Sequence, residues 1–280
     1  MAFPAQYLHQ ALMVVAVKMR AARLEGSHKF LSGLQERLFR SVRSVTVESP
    51  SLSRRLSVRP DAEIDDWVFA LADRGARLHF EKGVERRPWR EIIREKFSRD
   101  ERWVRAPLAY ATRIEIDGAV IGLLSEWTER PASPESGELT AVGWDIVYKQ
   151  RRFDYVDEAY SVREASQRLC VVLERAEELC ARHDWSKYRD IFAGARKTLG
   201  GEGQFTPHGG ALLDPRLFSN EARVLFEAAS TAWVFGGMGT FADMWVTTRE
   251  EIEEYQRCQG ELLTAIDAAI ISAVNLGGLA

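Results

Sequence analysis

Cysteine and histidine are scarce in this chain, three of one and five of the other among 280 residues. Cys170, Cys180 and Cys258 form no CxxC pair or other metal-ligand spacing, which excludes the common zinc and redox motifs. An odd, sparse count of this kind is expected of reduced, packed thiols in a cytoplasmic protein. His9, His28, His79, His183 and His208 are scattered, with no HxH or HExxH pattern, so neither a metal nor a cofactor is expected. Long apolar runs are lacking too. The stretch from Ala11 to Val17 is seven residues, well short of the ~20 that a membrane-spanning helix needs. Lys18, Arg20 and Arg23 follow it where a signal peptide would place a small-residue cleavage site.

Catalytic and nucleotide motifs are missing as well. Gly194 to Thr198 has the composition of a phosphate loop without the GxxxxGK(S/T) spacing, and there is no GxSxG elbow. The glycines of 200–203 and 236–239 do not follow a strand and open a helix, and for the latter, helix termination is the better account. No internal repeat is visible.

What is present is an ordinary globular balance, 46% hydrophobic and 28% charged, at a length suiting one large domain or two small ones. Charge is uneven. Residues 1–60 hold ten Lys or Arg against three Glu, and the rest holds 28 basic against 38 acidic residues. Such a basic segment either packs on the protein's own acidic helices or presents a surface to an acidic partner. The few aromatics among its cations, the absence of a nucleic-acid-binding motif and a pI near 6.0 argue against nucleic acid.

Hydrophobic periodicity predicts helices over 4–24 and 27–40, then two short alternating runs, 44–48 and 55–59, joined by a serine-rich hairpin loop or linker. Helical spacing returns over 61–72 and 88–97, with a strand at 76–81 between them. The clearest local signal is a hairpin, with Tyr110 to Ile116 alternating, Asp117-Gly118 suited to a type I′ turn, and a return strand from Val120 to Trp127. That return strand is apolar on both faces, as a central strand is. A third run, Val142 to Tyr148, completes a β-meander. From Ser161 the period changes to 3.6. Ser161/Glu164 and Thr248/Glu251 read as capping boxes, and the latter opens a helix reaching about Val274. The expected fold is therefore α+β, a central antiparallel meander packed by N-terminal helices and a mainly helical C-terminal half. The expected segments are 1–60, 61–158 and 159–280, the last two forming one compact unit.

Two functional readings follow. In the first, the chain is a non-enzymatic cytoplasmic protein that binds another protein, as a toxin-neutralising or scaffold component does. Its surface is either the basic one around Arg37, Arg40, Arg54 and Arg55 or the glycine-flanked segment of Met238, Phe241, Met244 and Trp245. In the second, it is an enzyme or small-molecule binder with a pocket between the sheet and the C-terminal helices. That pocket would use Asp145, His208 or the Asp65-Asp66 pair as acid or base. The apolar first helix is the expected homodimer contact, since an exposed apolar face needs cover.

Overall fold

The structure, a computed structural model, describes residues 5–25, 30, 42–59, 62–85, 109–130, 143–155, 160–206, 209–235 and 241–277. The helices expected over 27–40 and 88–97 lie outside this set, apart from the single residue Phe30. The fold is α+β. The chain divides into two compact units, one of Gln6–Asp157 and one formed chiefly by Glu158–Ala280.

The first unit is built on a six-stranded sheet. Its elements are α1 (Ala5–Ala21), β1 (Val42–Glu48), α2 (Pro50–Leu56), α3 (Ile64–Asp73), β2 (Arg77–Glu85), β3 (Ala109–Ile116), β4 (Ala119–Arg130), β5 (Gly143–Arg151) and β6 (Phe153–Tyr155). The strand order is β1-β5-β4-β3-β2-β6. Strands β2 to β5 pair antiparallel with their neighbours, and β1 pairs with β5 in parallel, so the sheet is mixed. At the β3–β4 turn Asp117 and Gly118 take φ of 48° and 72°, the left-handed pair that a type I′ turn needs.

The alternation of β3 sorts its side chains as expected. Tyr110, Thr112, Ile114 and Ile116 are buried on one face, together with Leu78 and Phe80 of β2. The other face is polar. Arg113 pairs there with Glu81 and Glu115, and Glu126 takes both Lys149 and Arg151.

Helix α1 lies on the apolar face, and from Leu8 to Val17 every residue is buried within the one chain. Its apolar surface is thus covered without a second copy. Gln10 does specific work on the sheet. The β3–β4 ladder stops at Thr112–Leu123, and the Gln10 amide takes over beyond it. Its nitrogen donates to the Tyr110 carbonyl (2.9 Å), and its oxygen accepts from the Ser125 N–H (2.9 Å) and hydroxyl (2.6 Å).

The second alternating run is not a strand. Residues 50–56 form a helix with Pro50 at its start, where proline's fixed φ suits the first turn, and Ser57 ends it at φ 56°. The alternation of Leu56 and Val58 is too short to compete, and α2 buries Leu52 instead.

After β5 the chain bends at Arg152 and continues as β6, which pairs with β2, on the opposite side of the sheet from β5. Phe153 and Tyr155 then lie over Gly122 of β4. A Cβ built there would meet Phe153 Cδ2 and the Tyr155 hydroxyl at 2.7 Å each, and the Arg151 carbonyl at 2.9 Å. Replacing Gly122 by valine is therefore expected to cost about 2 kcal/mol in urea unfolding, as overpacking of a closed site does. An unchanged urea midpoint would show that β6 is not held against β4.

The second unit contains α4 (Val162–Arg182), α5 (Ser186–Leu199), α6 (Asn220–Thr231) and α7 (Arg249–Leu276). Both expected capping boxes are formed. Ser161 and Glu164 cap α4, and Thr248 and Glu251 cap α7, each pair exchanging side-chain and backbone hydrogen bonds. The stripe of Leu169, Val172, Leu173, Ala176 and Leu179 on α4 is buried, as are Leu262, Ile266 and Ile270 on α7. Among the described residues no helix is long and apolar enough to cross a membrane.

Candidate functional site

The segment before α7 separates into an anchor and a tip. Phe241 is wholly buried, with ring centroids 5.3 to 5.5 Å from Phe192, Tyr188 and Tyr255. Its carbonyl accepts from the Tyr255 hydroxyl and from Gln259 Nε2 (3.3 Å), and the Met244 N–H donates to the Tyr255 oxygen (3.1 Å). Burial pushes the Tyr255 phenol up to about 12, which keeps its proton in place for this bond. Phe241 was expected on a recognition surface and is instead core: the aromatic side chains of α5 and α7 enclose it. Met244 is half-buried. Trp245 projects into solvent, 84% exposed. Met238 lies outside the described residues.

The basic candidates divide similarly. Arg37 and Arg40 lie outside the described residues. Arg54 and Arg55 are exposed in the last turn of α2, where cations complement the helix dipole. Arg54 Nε donates to the carbonyl of Pro50 in its own helix (3.1 Å), and neither arginine forms an ion pair among the described residues.

The acid–base candidates are not brought together by any hydrogen bond among the described residues. Asp145 is buried on β5 and accepts from the Ser44 hydroxyl of β1 at 2.6 Å, a side-chain bond across the parallel pair. This bond gives the carboxylate a structural role that alternation alone did not reveal. Asp65 and Asp66 occupy the first turn of α3, the end where acids are favoured. Asp66 is exposed, and Asp65 Oδ1 is buried with no hydrogen-bond partner among the described residues. His208 lies outside the described residues. Among the described residues no group of three His, Cys, Asp or Glu could hold a metal ion. Cys180 and Cys258 are buried free thiols, pushed up by burial to about 12 and about 11, far from the thiolate form that reacts.

Sequence reasoning missed two buried polar groups. His9 of α1 and Tyr148 of β5 share a hydrogen bond of 2.6 Å between Nδ1 and the hydroxyl, both fully buried. Burial pushes His9 down to about 4 and the Tyr148 phenol up. Glu227, buried in α6, accepts from the N–H groups of Thr206 and Gly210, 2.8 Å each, and so holds the glycine-rich loop. Gly209 has no room for a side chain, because a Cβ there would meet Glu227 Oε2 at 2.1 Å. The sequence signal was a polar residue beside apolar ones in a helix, His9 after Leu8 and Glu227 between Phe226 and Ala228. No family model, curated protein or solved structure matches the chain.

Proposed function

We propose that the chain is a non-enzymatic cytoplasmic protein that binds another protein, in a neutralising or scaffolding role, and that Trp245 is the centre of its binding surface. The observation that carries this reading is the exposure of Trp245 on a segment anchored four residues before it, at Phe241. Monomeric proteins cover most of the surface of so large an apolar ring, and tryptophan is among the residues most enriched where binding energy concentrates. The anchor also supports it, since a ring held on a pinned segment loses little freedom on binding. Arg54 and Arg55, exposed and without an acidic partner among the described residues, are the alternative contact surface in this reading.

The test is recovery of a stoichiometric partner from native extract by the full chain, followed by binding measurements with the purified pair. Trp245→Ala is expected to weaken binding at least tenfold, as loss of an interface hot spot does, while unfolding free energy stays within about 0.5 kcal/mol. The Arg54→Glu/Arg55→Glu double variant is expected to slow association and to flatten its salt dependence. Failure to recover any stoichiometric partner, or a partner indifferent to both variants, overturns the reading.

A further inference from the structure

Helices α4 and α7 run antiparallel, and two ion pairs fix their register. Arg182 donates to Glu254 at 2.5 Å, and Arg175 to Glu261 at 3.2 Å. Seven residues, close to two turns, separate the two arginines and likewise the two glutamates, so the pairs are successive rungs of a ladder. The same step leads from Arg175 to Arg168 on one helix and from Glu261 to Ala268 on the other. The third rung therefore has its cation and lacks its acid, because Ala268 offers only a methyl group, 7% exposed.

Arg168 turns to Tyr160 instead. It donates to the phenol oxygen, and its guanidinium carbon stands 4.9 Å from the ring centroid. Tyr160 is itself tied to α7 by the Ser272 hydroxyl, which donates to its carbonyl at 2.8 Å. The arginine is thus oriented by a held aromatic ring, and most of its five N–H donors remain available. It forms no ion pair among the described residues.

An open pocket of about 570 Å³ lies against it, within the size range of small-molecule sites. Its apolar wall is Val171, Val172 and the Tyr160 ring, and Val171 is 49% exposed. Both acids on the wall are engaged, Glu261 with Arg175 and Glu164 with Ser161 through the capping box. Of the two arginines and two glutamates on the wall, Arg168 is the cation with no carboxylate on it, and it stands beside an apolar surface.

We propose that this pocket binds a small molecule bearing an oxyanion, with the oxyanion on the guanidinium fork of Arg168 and an apolar body against Val171, Val172 and Tyr160. Carboxylate and phosphate both match the planar fork of arginine. The ligand supplies the acid that the ladder lacks at Ala268.

The test is titration calorimetry of the full chain with phenylacetate, phenyl phosphate and the neutral analogue phenylethanol. Saturable binding of either anion is expected, with a dissociation constant of about 1 mM for ligands of this size, and the arm that binds tells carboxylate from phosphate. Arg168→Gln is expected to weaken it about tenfold or more, and Arg168→Lys, which keeps the charge but not the fork, several-fold. The Lys variant also guards against misfolding of the Gln variant, and thermal unfolding of each shows that the helices are intact. Three outcomes overturn the proposal: neither anion binds at about 10 mM, phenylethanol binds as well as the anions, or both variants of Arg168 bind like the wild type.

Discussion

Replacing Glu227 by alanine is expected to lower the unfolding free energy by about 3 to 4 kcal/mol. The carboxylate is buried, and its Oε2 is the acceptor for two backbone donors, the N–H groups of Thr206 and Gly210. Alanine leaves both donors without an acceptor, and an unmet buried donor costs about 1 to 3 kcal/mol. Glu227→Gln separates hydrogen bonding from charge. Its amide oxygen still accepts, so a loss of about 1 to 2 kcal/mol is expected. Urea titration of the two variants is the measurement, and equal losses would show that the charge, not the acceptor, holds the loop. Thr206 and Gly210 dock on α6 through these two bonds, and Arg223 of α6 adds a contact, its guanidinium lying over the Phe205 ring at 4.2 Å.

The second large effect is a dependence on acid. His9 is fully buried against Tyr148 and pushed down to about 4 from the ordinary 6.5 by desolvation. The unfolded chain takes up the proton near pH 6.5, whereas the folded chain resists it until about pH 4. Between these values the unfolded state binds more protons, so stability falls as pH is lowered, by about 1.4 kcal/mol per pH unit and about 3 kcal/mol in all. Above pH 6.5 the histidine is neutral in both states and contributes no slope. Urea midpoints measured from pH 7.5 to 4 check this. The His9→Leu/Tyr148→Phe double variant removes the titrating group and the hydroxyl that it satisfies, and its profile is expected to lose that part of the slope. A double variant with the wild-type profile would place the acid sensitivity elsewhere.

The features legible in the sequence share one property: their causes lie within a few residues. Ser161 and Glu164, or Thr248 and Glu251, are three positions apart, and their reciprocal bonds follow from that spacing alone. Asp117-Gly118 specified its hairpin in the same way. Other features needed partners that pattern reading cannot connect. Strand β1 was recognisable, but its parallel pairing with β5 joins residues about a hundred positions apart. Phe241 looked like surface because its own neighbours are glycine, methionine and tryptophan, and the rings that bury it come from α5 and α7. Asp145 was rightly placed on the opposite face from Ile146, yet its bond to Ser44, about a hundred positions away, could not be read from alternation. The run of 55–59 misled for a different reason. Two alternating apolar residues carry little information against a proline that opens a helical turn five positions earlier.

The bend at Arg152 also has a bearing on synthesis. Helix α1 precedes every strand of the sheet, and its buried histidine finds Tyr148 only 139 positions later. The sheet that covers the helix receives its last pairing from residues 153–155, which meet β2. The ribosome must therefore deliver nearly the whole of Gln6–Asp157 before the apolar surface of α1 can be sealed. Until then Leu8 to Val17 is a hydrophobic ribbon on a nascent chain, the kind of segment that chaperones shield. Glu158–Ala280, by contrast, is joined largely by contacts between helices close in the chain, and each can form as soon as its neighbour has been made.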